Sequence, residues 1–136
     1  MNECKKVHDF LTVCAPSPLQ EAVIPALELP QSYYDAFAAE YTEKKDILVN
    51  GLNDIGIRFS EPQGSYFMMI DISDFSHGRN DVEFCEDLVK KVGVAAVPGS
   101  SFFKEPVDHL ARVHFSKKNE TLYDAIERLR GIKNMY

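Results

Sequence analysis

The run Leu110-Ala111-Arg112-Val113-His114-Phe115 places a single arginine inside a stretch that otherwise reads as a strand. Alternation along such a strand puts Leu110, Arg112 and His114 on one face and Ala111, Val113 and Phe115 on the other. One face then suits a core and the other a ligand. The planar fork of guanidinium donors matches a carboxylate or phosphate in bidentate fashion, which makes Arg112 the leading anion-binding candidate. A local ion pair with Asp71 or Asp108 is the competing use of the same group. Two loop-to-strand segments, Gly64-Ser65-Tyr66-Phe67 and Pro98-Gly99-Ser100-Ser101-Phe102, can bring small residues and aromatic rings to a ligand beside it.

Other chemistries find little support. Neither GxxxxGK[ST] nor GxGxxG occurs, so Gly99 and Ser100 read as a plain turn and not a phosphate cradle. No GxSxG elbow supports nucleophilic hydrolysis. His8, His77, His109 and His114 lack ligand spacing with one another or with a cysteine, so no metal site is expected. Cys4, Cys14 and Cys85 form no CxxC pair, and an odd, scattered set argues against a disulfide framework. Cys85 falls on the inward face of a predicted helix, where a thiol acts as a small hydrophobe. Asp71 ends a predicted strand and reads as a solvated acid.

The elements that must position these residues fit one principal domain. The chain has 136 residues, 45% hydrophobic and 26% charged, enough for one core and too little for two. A net charge of -6 with scattered lysines and arginines gives no nucleic-acid footprint. No stretch reaches the roughly 18–20 apolar residues of a membrane span, and the charged opening Met1 to Asp9 leads into no signal-peptide core. A soluble cytoplasmic protein is expected.

The opening is a short helix followed by Pro16, Pro18, Pro25 and Pro30, with a helical pattern over Leu19 to Leu29 that Pro25 should kink or interrupt. From an N-cap at Ser32, a long amphipathic helix runs through Tyr34, Phe37, Tyr41, Leu48, Leu52 and Ile55 to a stop at Gly56, accepting a helical Gly51. Ile57 to Phe59 reads as a short strand, and Ser65 to Ile72 as a central strand apolar on nearly both faces. Asn80 and Glu83 suggest a capping box for a helix to Val92 that buries Cys85, Leu88, Val89 and Val92 and stops at Gly93. Val94 to Val97 is a further strand, Pro98 to Ser101 a loop and Leu110 to Phe115 a strand. Asn119 caps a last helix buried through Leu122, Ala125, Ile126 and Leu129, with Gly131 as its stop. The expected fold is α/β, an α+β sandwich with a small mixed sheet and helices packed on it.

In this order the segments resemble the C-terminal part of a class I/II aminotransferase, a fold-type I family dependent on pyridoxal phosphate, in its aspartate and aromatic branch. The likeness runs from Val7-His8-Asp9-Phe10-Leu11-Thr12-Val13 through Ala15-Pro16-Ser17-Pro18-Leu19-Gln20 and Leu29-Pro30-Gln31-Ser32-Tyr33-Tyr34. It continues through Pro62-Gln63-Gly64-Ser65-Tyr66-Phe67 and Val97-Pro98-Gly99-Ser100-Ser101-Phe102 to Ala111-Arg112-Val113-His114-Phe115. The resemblance implies that Arg112 binds the substrate's α-carboxylate, that Gly64 and Tyr66 lie at the substrate pocket, and that Pro98 to Phe102 borders it. It implies residues 1–30 as an arm of the large cofactor domain and 31–136 as the small C-terminal domain. The lysine that anchors pyridoxal phosphate has its counterpart upstream of Met1, so no residue here is assigned a catalytic or cofactor-binding role. Lys5, Lys6, Lys44 and Lys45 read as solvated charges, and Lys117 and Lys118 match no family counterpart of that lysine.

The implied reaction of the full-length enzyme is ping-pong amino transfer between an amino acid and a 2-oxo acid, with the chain inactive alone and holding no cofactor by itself. Implied partners are the N-terminal large domain and a second copy, as a homodimer or by self-association. The alternative is a stand-alone, non-catalytic module for small-ligand binding or assembly.

Overall fold

The computed structural model describes residues 2–135. The outer limits of the expected arm and domain, Met1 and Tyr136, lie outside the described residues. The chain divides into two compact units, Met1–Phe37 and Ala38–Tyr136.

The first unit holds α1 (Asn2–Thr12), α2 (Ser17–Leu27) and the start of α3 (Gln31–Ile55). Neither α1 nor α2 has a buried residue. Pro25 does not break α2, which runs through it to Leu27. The carbonyl that the proline ring leaves without a donor belongs to Glu21, an exposed position where water can serve it. Helix α3 starts at Gln31, one residue before the expected Ser32 cap, with the Tyr33 amide bonded to the Pro30 carbonyl at 2.9 Å.

In the second unit α3 buries Leu48, Gly51, Leu52 and Ile55. Gly51 is explained by packing, because a Cβ there would lie 2.6 Å from the Ile126 side chain. The helix stops at Gly56, whose φ of 84° is left-handed. Tyr34 and Phe37, expected on the buried stripe, are exposed, and Tyr41 is half-buried. Their apolar spacing marks a face without supplying a cover for it.

Three strands follow, β1 (Phe67–Asp71), β2 (Val97–Pro98) and β3 (Leu110–His114), in the order β1-β3-β2. Both pairings are antiparallel. The small sheet with packed helices is as expected, but it is antiparallel and not mixed. The central strand is β3, not the Ser65 to Ile72 segment. That segment gives a shorter strand because Ser65 takes a left-handed φ of 66° and the Ile72 carbonyl accepts the Phe75 and Ser76 amides in a turn. Its alternate residues Met68 and Ile70 are buried, so only one of its faces joins the core.

The expected strand at Ile57 to Phe59 reduces to a bridge of Phe59 with Ile70. Ile57 turns into the core straight after the helix stop, which leaves too few residues for a ladder. Of Val94 to Val97, only Val97 enters a strand, and it continues into Pro98. The Pro98 to Ser101 segment tightens into a 3₁₀ turn at Gly99–Ser101.

Helix α4 (Asp81–Asp87) carries the expected capping box between Asn80 and Glu83. It continues as a π-helical turn, Leu88–Val92, to Gly93, whose φ is 79°. Cys85 and Leu88 are buried, whereas Val89 is exposed because widening to the π turn rotates it off the inward stripe. Helix α5 (Asn119–Leu129) buries Leu122, Ile126 and Leu129. Its cap position is Lys118 and not Asn119, whose amide donates to Glu43 at 2.8 Å. Gly131 does not end the run, which tightens to a 3₁₀ turn, Arg130–Asn134, that buries Ile132.

Candidate functional site

Strand β3 does what alternation requires. Ala111, Val113 and Phe115 are buried, while Leu110 and Arg112 are half-buried and His114 is exposed. The register sets Met69 opposite Arg112 and Phe67 opposite His114, so Phe67 lies diagonal to Arg112 on the same face.

The arginine is held by rings. Its guanidinium carbon lies 4.0 Å from the centroid of Phe102 and 4.9 Å from that of Phe67. Stacking on aromatic faces is energetically favourable for a guanidinium and leaves its in-plane N–H donors free. Among the described residues no carboxylate pairs with Arg112. Asp71, one competing partner, is taken by Arg58 at 3.0 Å and by the Ser73 hydroxyl and amide at 2.6 and 2.9 Å. Burial pushes the Asp71 carboxyl up, but the Ser73 bonds and then the Arg58 charge outweigh it and hold the group below its ordinary range.

Tyr66 and Gly64 are less closely tied to the arginine. Tyr66 is 53% exposed, edge-on to the rings of Phe67 at 5.7 Å and His114 at 6.4 Å. Its carbonyl accepts the Phe115 amide at 2.9 Å. The left-handed Ser65 releases the chain from strand alternation just before it, which fits the side-on placement of Tyr66. Gly64 lies in the preceding bend with open space around it. The structure therefore joins Tyr66 to the edge of the Arg112 face through Phe67 and His114, and gives Gly64 no contact there. Partial burial first, then the charges of Lys117 and Arg112, hold the His114 pKa below its ordinary value. The face then carries the arginine's charge beside a neutral imidazole at neutral pH.

Sequence reasoning placed aromatic rings at a ligand, but did not single out Phe67 and Phe102 as the clamp on the arginine itself. The available signal was the aromatic residue in each of the two flanking segments. It also passed over Asp81, because an acid in the first turn of a helix is commonplace.

The residues match a known family over nearly their whole length. The model of the family "Aminotransferase class I and II" matches residues 1–129. The chain belongs to the class I and II aminotransferases. It is 42% identical over 131 residues to a methionine aminotransferase of Escherichia coli K12, covering 96% of this chain and 34% of that protein. An aspartate aminotransferase of Thermotoga maritima is 32% identical over 129 residues, covering 95% of this chain and 31% of that one. The chain thus spans about a third of the length of the curated relatives it matches. Among solved structures, an Escherichia coli protein identified as a methionine aminotransferase superposes with a TM-score of 0.77 at 41% identity, over 95% of this chain and 34% of that one. An N-succinyldiaminopimelate aminotransferase of Mycobacterium tuberculosis gives 0.78 at 33% identity, over 91% and 33%.

This aminotransferase family implies pyridoxal phosphate in its full-length enzymes. Several of the described lysines lack the setting that its covalent anchor needs. A lysine that bonds covalently to a cofactor must shed its proton, which takes desolvation or a neighbouring cation. Lys44 and Lys90 have the opposite setting, with Glu40 and Glu86 raising their pKa values. Lys6, Lys45 and Lys91 each sit beside a carboxylate, at 3.2 Å from Glu3, 3.3 Å from Asp46 and 3.2 Å from Asp87. Among the described residues no group of three or more His, Cys, Asp or Glu could hold a metal. No single described helix is long and apolar enough to cross a membrane.

Proposed function

We propose that this chain acts as the C-terminal third of an aminotransferase that moves an amino group between an amino acid and a 2-oxo acid, with Arg112 binding the substrate's α-carboxylate. The observation that carries the reading is the guanidinium clamped by Phe67 and Phe102 with no carboxylate of its own. Both reactants in such a transfer present a carboxylate next to the reacting carbon, so one rigid bidentate site serves both halves of a ping-pong cycle.

The chemical step belongs to pyridoxal phosphate, which supplies an electron sink when bound in the complete enzyme. This chain's share is to bind and orient. Ring contacts on the guanidinium restrain it, and a carboxylate that takes its fork in bidentate fashion lies in the guanidinium plane. Tyr66, exposed at the edge of the same face, lines the side-chain end of the bound substrate, and Gly64 leaves that end open. The exposed apolar residues Phe10, Leu11, Leu19 and Leu27 support a first unit that docks on a large cofactor domain and a second copy.

A fusion tests the reading. The chain is exchanged for the corresponding third of the Escherichia coli methionine aminotransferase, loading is confirmed by cofactor absorbance, and amino transfer is assayed over a panel of amino acids. Turnover that disappears in the Arg112→Ala fusion is the expected result. A folded, loaded fusion whose turnover does not depend on Arg112 would contradict it.

A further inference from the structure

Asp81 is the buried charged side chain among the described residues, at 2% exposure. Burying a carboxylate is costly unless hydrogen bonds compensate. The cap of the helix it starts does not use it, because the Asn80–Glu83 box is built from those two residues alone, each side chain accepting the other's amide. Its Oδ2 instead accepts the backbone N–H of Ser100 at 2.7 Å, across 19 positions of sequence.

Ser100 is the middle of the Gly99–Ser101 turn. That turn closes with the Phe102 amide donating to the Gly99 carbonyl at 2.9 Å. Gly99 is pressed against the start of β3, where a Cβ would lie 2.5 Å from the Leu110 carbonyl oxygen. The turn is thus pinned on one side by the carboxylate of Asp81 and on the other by the backbone of β3. The residue it delivers is Phe102, the nearer of the two rings on Arg112. We propose that Asp81 is a positioning residue for Arg112: its bond to the Ser100 amide fixes the turn that sets the Phe102 ring, and with it the plane in which the guanidinium receives a carboxylate. This deepens the carboxylate-binding reading of Arg112 and rests on it for its functional meaning.

The test reads the stacking directly, by nuclear magnetic resonance of the 136-residue chain. In the unmodified chain the Arg112 Nε–Hε signal should be displaced upfield by the ring beneath it, and Phe102→Leu sets the unstacked value. Asp81→Ala, and Asp81→Leu, which fills the buried space with apolar atoms, should both move the signal to that value while the methyl signals of Leu52 and Ile70 keep their positions. Asp81→Asn, which retains an acceptor oxygen, should restore most of the displacement. A folded Ala or Leu variant with an unchanged Arg112 signal would overturn the proposal. So would failure of both to fold, since Asp81 would then serve the core and not the turn. A stacked Arg112 whose replacement leaves substrate binding unchanged in the complete enzyme would instead defeat the carboxylate reading and leave the positioning role of Asp81 intact.

Discussion

The two compact units of this chain use the same kind of helix to opposite effect. Helices α1 and α2 bury none of their residues, and Phe10 and Leu11 are more than four-fifths exposed, at 86% and 81%. In the second unit Leu52, Ile70, Phe84 and Leu88 are wholly buried. An amphipathic period shows which face of a helix is apolar, and only a sheet or another helix at the right distance covers that face. The second unit has that sheet, and the strand at its centre turns one face to the core and the other to solvent.

The sharpest way to break this contrast is to cut into the core. Phe84→Ala removes a fully buried ring and should cost about 3–5 kcal/mol of unfolding free energy in a urea titration. Gly51→Ala comes next: its Cβ would meet Ile126 at 2.6 Å, and overpacking of this kind should cost about 1–3 kcal/mol, less the helix propensity gained. A clear gain in stability would show that the α3–α5 contact is looser than a 2.6 Å approach to Ile126 implies.

The thiols sharpen the contrast without a mutation. Cys4 and Cys14 are exposed and Cys85 is buried, so a thiol reagent near pH 8 should label the first two at once and the third only in denaturant. Burial, and secondarily the charge of Asp81, push the Cys85 thiol up to about 11. A raised folded-state pKa means that its contribution to stability is complete below the ordinary thiol range and is lost as pH rises through about 11. Prompt native-state labelling of all three would refute the burial of Cys85. The smallest effect is expected at Phe10→Ser, which should shift unfolding of the second unit by less than about 0.5 kcal/mol.

Much of this was legible in the sequence. The one-sided β3, the stops at Gly56 and Gly93 and the capping box at Asn80 follow from local chemistry that tertiary contacts do not override. The order of strands was not legible, because Met68 and Ile70 look the same in a central strand as in one flanked by a single bridge. Nor was the path of α2 through Pro25, which depends on solvent reaching an exposed carbonyl. At the site, the place of Arg112 on the strand face turned away from the core was legible from alternation. Its clamp was less so, since Phe102 arrives through a turn held by Asp81 from 19 residues away, a contact that no periodicity encodes.

The central claim is that Arg112 receives the substrate carboxylate, and steady-state kinetics of Arg112→Lys in the complete enzyme test it most directly. Exchanging the bidentate fork for a point charge should raise the Michaelis constants for the amino acid and the 2-oxo acid together, by about 10- to 100-fold, with a much smaller change in kcat. Unchanged Michaelis constants for both reactants would contradict the claim.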